Sequence, residues 1–207
     1  MDNLDFTHRF IPARETSTAR TLLLLHGTGG DETDMISLGR ELDSLAPILS
    51  PRGKVLENGM PRFFRRLAEG VFDEEDLIRR ANELADFVGV AAKRYEFDSQ
   101  QVIAVGYSNG ANIAAAILLL RPEVFSAAVL FRAMVPLAPT SLPNLARAHI
   151  LISSGQHDPI VSVENVRQLA GMLQAAGADV MLRFEPAGHT LAFGDIEAAK
   201  GWLTKIG

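Results

Sequence analysis

The sequence predicts an α/β fold, a mostly parallel central sheet with helices on both faces, and three observations predict it. Short continuous apolar runs alternate with amphipathic stretches from end to end. The runs have the length and unbroken hydrophobicity of strands buried on both faces. One of them leads through a glycine-flanked serine directly into an apolar helical stretch, Ala111 to Leu120. Strand–helix alternation of this kind closes into parallel sheets through right-handed crossovers.

Taken in order, Phe6 to Ile11 is expected to add an antiparallel edge strand. Thr21-Leu22-Leu23-Leu24-Leu25 is the first central strand and ends at Gly27-Thr28-Gly29-Gly30. Residues 32–45 read as a helix, with Met35, Leu38, Leu42 and Leu45 at helical spacing. Pro47-Ile48-Leu49-Ser50 reads as a strand closed by Pro51 and Gly53. Asp73 caps a long helix whose Leu77, Ala81, Leu84 and Val88 form one apolar stripe. Strands follow at 101–106, 127–131 and 148–153. Ser162 caps a helix through Leu173 that Gly177 ends. Asp179 to Phe184 is the last strand, and a helix from Ile196 to Lys205 closes the chain. No composition break divides residues 1–207, so a single domain is expected.

Composition narrows the function classes. The 207 residues are 47% hydrophobic and 22% charged, the balance of a globular chain. A net charge of −5 argues against nucleic acid or an anionic membrane as the main partner. Cysteine is absent, so neither a disulfide nor a thiol nucleophile is available. Met1 to Phe10 lacks the apolar core of a signal peptide. The longest apolar stretch, Ala111 to Leu120, is about half what a bilayer span requires. A cytoplasmic protein is expected, acting on a small molecule, with a homodimer left open. The histidines are scattered without metal-ligand spacing, so no metal or cofactor is expected.

The chemistry is written at strand ends. In Gly106-Tyr107-Ser108-Asn109-Gly110 the strand-to-helix turn forces strained backbone angles on Ser108 and raises its hydroxyl above the sheet. A serine hydroxyl needs a base, and a histidine base needs a carboxylate to fix its tautomer. Two later loops supply them. Ser154-Gly155-Gln156-His157-Asp158 follows one strand, and Glu185-Pro186-Ala187-Gly188-His189 follows the next. Ser108, Asp158 and His189 then stand in the chain order expected of a nucleophile elbow. His157 is the weaker base because adjacent residues point apart; His8 and His149 fall beside strands, and His26 props the loop it precedes. Asp195 lies past the histidine loop and Asp179 at the wrong end of its strand, so Asp158 is the expected acid.

An oxyanion forming on the substrate needs two preorganised N–H donors, each worth roughly 3–4 kcal/mol. Asn109, next to the nucleophile, supplies one, and Thr28 in the glycine-rich loop the other. That loop lacks the Lys-Ser/Thr of a phosphate loop and does not fit G-x-G-x-x-G. A plain tight turn is the competing reading.

His26-Gly27-Thr28-Gly29-Gly30-Asp31-Glu32, Gly106-Tyr107-Ser108-Asn109-Gly110-Ala111-Asn112, Gly155-Gln156-His157-Asp158-Pro159-Ile160-Val161 and Gly188-His189 together resemble the phospholipase/carboxylesterase family of α/β-hydrolases. Within it, the chain is similar to small bacterial carboxylesterases related to dienelactone hydrolase. The stretch from Ser50 to Arg66 resembles a segment of bacterial hydrolases associated with aromatic-compound stress. Dienelactone hydrolases proper carry a cysteine nucleophile, and this chain has none. The resemblance implies a metal-independent serine hydrolase of minimal size, without a large cap domain. An open, shallow pocket for small or short-acyl esters follows. Phe63, Phe64 and Met134 are candidate pocket walls, with core packing or an exposed loop as the competing reading. Arg52 is a candidate for an anionic substrate group, with a surface charge as its alternative. A thioesterase, a C–C hydrolase, or a low-turnover binder of small aromatic molecules would use the same scaffold.

Overall fold

In the computed structural model, which describes residues 5–13 and 20–206, seven strands form one sheet and two short hairpins stand beside it. The first four residues of the stretch read above for a signal peptide lie outside the described residues. β1 (His8–Ile11) runs antiparallel to β3 (Ile48–Pro51), as the edge-strand reading expects. β2 (Thr21–Leu25) is followed by α1 (Ile36–Leu42). The hairpins are β4 (Val55–Glu57) with β5 (Met60–Arg62), and β6 (Arg66–Ala68) with β7 (Val71–Phe72). Then come α2 (Glu74–Tyr95), β8 (Val102–Tyr107), α3 (Asn109–Leu120), β9 (Ala127–Phe131) and β10 (His149–Gly155). α4 (Val163–Ala175), β11 (Asp179–Glu185) and α5 (Phe193–Leu203) complete the order.

The sheet order is β1-β3-β2-β8-β9-β10-β11, and every pair except β1–β3 is parallel. Side chains alternate across it. Leu23, Leu25, Ala104, Leu130 and Ile152 join the core under α2, α3 and α4. Leu22, Leu24, Val105, Val129 and Leu151 face the other core with Leu42 of α1 and Trp202 of α5. Both faces bury apolar surface, which is why these strands read as unbroken hydrophobic runs. Among the described residues no helix is long and apolar enough to cross a membrane.

Several caps fall where the sequence places them. The Asp73 side chain accepts from the Asp76 N–H, the Ser162 hydroxyl accepts from Asn165, and Gly177 has a φ of +95°. Other boundaries move. Residues 32–35 form turns rather than helix, because the Asp31 carboxylate captures the Thr33 N–H at 2.7 Å and holds a local loop. The last helix begins three residues early, at Phe193, because Asp195 accepts the Ala192 N–H at 2.7 Å and caps it. The hairpins have no counterpart in the sequence pattern. Their strands of two or three residues are too short for periodicity to register.

Candidate active site

The chain leaves β2 toward β3 on one side, while β8 leads to β9, β10 and β11 on the other. The switch point lies between β2 and β8, where crevices form at the carboxyl ends of such sheets. The Thr28 loop follows β2 and Ser108 follows β8, so both meet there.

Ser108 has φ +52° and ψ −113°, a conformation that costs a non-glycine residue on the order of 1–3 kcal/mol. Its flanking glycines show what holds the turn. A Cβ on Gly106 would lie 2.6 Å from the Ala111 Cα, and one on Gly110 would overlap the Leu25 carbonyl. Strand and helix meet so closely there that no side chain fits between them.

The Ser108 hydroxyl oxygen lies 3.0 Å from His189 Nε2, and His189 Nδ1 lies 2.8 Å from Asp158 Oδ2. The other Asp158 oxygen accepts the N–H groups of Ile160 at 2.8 Å and Val161 at 3.1 Å. The Asp158 side chain is fully buried, while His189 keeps an exposed edge. The structure therefore brings together the three residues expected as a triad. Asp179 instead pairs with His149 at the surface, 3.1 Å apart, and His157 is exposed. His8 bridges the Phe6 carbonyl and the Tyr95 hydroxyl, away from these groups.

Thr28 and Asn109 line the same cavity as Ser108 and His189, a space of about 240 Å³. Their loops are braced from outside. The Gly29 N–H donates to the Pro61 carbonyl at 2.9 Å, and the Asn109 side-chain oxygen accepts the Phe63 N–H at 2.7 Å. His26 is buried, with Nδ1 on the Gly27 carbonyl at 2.7 Å and Nε2 accepting the Gly53 N–H at 3.0 Å. Burial lowers its pKa below 6.5, the Gly27 contact opposing only in part. A neutral imidazole is what one donor and one acceptor partner require.

Met134 lines the cavity, as expected, held by its N–H on the Asn112 side chain at 2.8 Å. Phe63 and Phe64 do not. Both are buried in the core, Phe63 against the His26 ring and Phe64 against Phe72, because β5 turns that segment inward. Arg52 is also corrected. Its Nη2 and Nε grip the Glu32 carboxylate, the former at 2.9 Å, so it forms a surface ion pair outside the cavity wall.

The arginines that do line the cavity are Arg62, Arg66 and Arg132. Arg62 Nη1 donates to the Thr28 hydroxyl at 2.6 Å. Arg62 and Arg66 share Glu57, at 3.2 and 2.8 Å. Among the described residues two cations thus face one carboxylate, and none of those lining the cavity is acidic. The sequence alone passes over Arg62 and reads the Arg65-Arg66 pair as a solvated helix face. Arg66 instead stands on β6 at the cavity, because the hairpins that aim both arginines are not visible in the sequence pattern. Asp195, set aside as an acid, is fully buried against Arg132 at 2.6 Å. Burial alone would raise its pKa, but Arg132, the Ser153 hydroxyl and the Ala192 N–H together hold it below the usual carboxylate value.

Comparison with known proteins places the chain among hydrolases. The model of the dienelactone hydrolase family matches residues 60–199. The putative hydrolase MhqD of Bacillus subtilis is 48% identical over 181 residues, 87% of this chain and 90% of that protein. The Bacillus cereus carboxylesterase is 49% identical with a TM-score of 0.96, over 99% of this chain and 96% of that one. YahD, in its structure with malic acid, is 32% identical with a TM-score of 0.91, over 98% of this chain and all of that one.

Proposed function

This chain belongs to the dienelactone hydrolase family, an esterase-type α/β-hydrolase family, and from that premise we propose a serine carboxylesterase that cleaves small or short-acyl esters. The single observation that carries the reading is the unbroken hydrogen-bonded line from Ser108 through His189 to Asp158. Ser108 Oγ attacks the ester carbonyl as His189 Nε2 takes its proton. The resulting oxyanion is held by the N–H groups of Thr28 and Asn109. Collapse expels the alcohol, which takes the proton back from His189. A water, deprotonated by the same nitrogen, then attacks the acyl-enzyme and frees the acid. Asp158 holds the imidazole in its working tautomer throughout. A cavity of about 240 Å³ supports a small acyl group.

A serine-directed organophosphonate tests this. It is expected to label Ser108 once, with labelling lost in Ser108→Ala; an adduct elsewhere, or an alanine variant of normal activity, would refute it. The same chemistry serves thioesters and C–C bonds, so a panel of matched esters and thioesters decides the leaving group. A binding protein of low turnover would bind the panel without hydrolysing it.

A second reading concerns the acyl part. Arg62 and Arg66 at the cavity, which share the Glu57 carboxylate, favour an acyl group that carries a carboxylate. The malic acid in the YahD structure supports the same class. A hemisuccinate ester should then be cleaved faster than a butyrate ester of the same alcohol, with the advantage shrinking as salt rises.

A further inference from the structure

The histidine loop has farther to travel than either other loop of the site. β11 is the edge strand, three strand spacings from β8, or roughly 14 Å at the usual separation. To bring His189 over Ser108, residues 186–190 must run back across the ends of β10 and β9. Arg132, the first residue after β9, meets them on the way. It is fully buried, and its φ of +57° lies in the left-handed region that a residue with a Cβ seldom adopts.

Its Nε donates to the carbonyls of Gly188 at 3.0 Å and His189 at 3.1 Å, and its Nη2 donates to that of Thr190 at 2.9 Å. One guanidinium therefore grips three consecutive carbonyls of the histidine loop. The Tyr107 hydroxyl, from the end of β8, donates to the His189 carbonyl as well, at 3.2 Å. The guanidinium is itself fixed. Nη1 reaches the Ser153 carbonyl at 3.2 Å and Asp195 Oδ1 at 2.8 Å, and Nη2 reaches Asp195 Oδ2 at 2.6 Å. Asp195 also accepts the Ser153 hydroxyl at 2.6 Å and caps α5.

A buried ion pair is poor evidence for stability, since apolar residues of similar volume often serve a fold as well. An apolar pair would not hold three carbonyls at fixed positions, whereas the planar five-donor fork of arginine does. Neither charge enters the proposed ester chemistry. We propose that Arg132, clamped by Asp195, is the positioning residue of the catalytic base: it fixes the His189 backbone so that the imidazole spans Ser108 and Asp158. This rests on the triad reading above.

Two variants and the parent test it, with nitrophenyl acetate as substrate and thermal unfolding measured alongside. If the parent neither hydrolyses the ester nor takes an organophosphonate on Ser108, the triad reading fails and this proposal falls with it. With an active parent, Arg132→Lys keeps the charge beside Asp195 but cannot span the three carbonyls. Its kcat is expected to fall about 100-fold, the scale of an ångström's misplacement, with KM within about threefold. The double variant Arg132→Met/Asp195→Leu removes both charges. It is expected to melt below the parent, because the loop carbonyls, the Ser153 hydroxyl and the Ala192 N–H lose their partners, but to be folded at the assay temperature and as slow as Arg132→Lys, which a purely structural role would not produce. Recovery of kcat to within about threefold of the parent in either variant overturns the proposal, as does a loss carried by KM alone. Unfolding of both variants at the assay temperature would assign the pair to the fold instead of to His189, and overturns it too.

Discussion

Replacing Asp158 by asparagine changes one atom, and the surroundings dictate how the amide must sit. The carboxylate faces two kinds of partner. Oδ1 accepts the N–H groups of Ile160 and Val161, and Oδ2 accepts from His189 Nδ1. Backbone N–H groups can only donate, so the oxygen of the introduced amide must stay on them and its NH₂ must face His189. The imidazole then accepts at Nδ1 and carries its proton on Nε2, pointing at the Ser108 oxygen 3.0 Å away. That tautomer cannot take the serine proton. In the serine-protease triad the equivalent change costs about 10⁴ in turnover, which corresponds to roughly 5.5 kcal/mol of barrier. Asp158→Asn is therefore expected to lose about four orders of magnitude in kcat with KM little changed. The assay is steady-state hydrolysis of nitrophenyl acetate, with circular dichroism to establish that the variant is folded. A folded Asp158→Asn enzyme within tenfold of the parent's kcat would refute both the assignment of the acid and the tautomer argument.

Acid stability should report on His26. The folded protein holds its imidazole neutral, whereas the unfolded chain takes up a proton below 6.5. The His26 contribution is thus fully present above that pH. It is lost as pH falls from 6.5 toward the lower folded-state value, at up to about 1.4 kcal/mol per pH unit. Urea melts of parent and His26→Gln between pH 7 and 5 should show the shallower slope in the variant; parallel slopes would count against it. Two glycine substitutions should go in opposite directions. Gly110→Ala drives a Cβ into the Leu25 carbonyl and is expected to abolish soluble expression or lower the melting temperature sharply. Gly171→Ala, in the middle of α4 with open space around its Cβ position, should add roughly 0.5–1 kcal/mol. Thermal scans of the two would expose an error in either direction.

Much of the fold was legible because strands buried on both faces must be continuously apolar, and Leu22 to Leu25 and Ala127 to Phe131 are. The meeting of Ser108, Asp158 and His189 was legible too. Each follows a parallel strand, and parallel strands deliver their ends to one edge of the sheet whatever the intervening helices do. Chain order plus strand polarity is nearly enough to place them together. The hairpins β4–β5 and β6–β7 were not legible, since their few residues pair only because the rest of the molecule holds them. They decide that Phe63 and Phe64 turn inward to the core while Arg62 and Arg66 face the cavity. Charge partners were beyond reach for the same reason. Arg52 belongs to Glu32, 20 residues away, and Arg132 to Asp195, 63 residues away. Local pattern tells which residues bear charge, but a buried guanidinium is satisfied by whatever acceptors the packed chain brings within about 3 Å. Only the tertiary structure decides which those are.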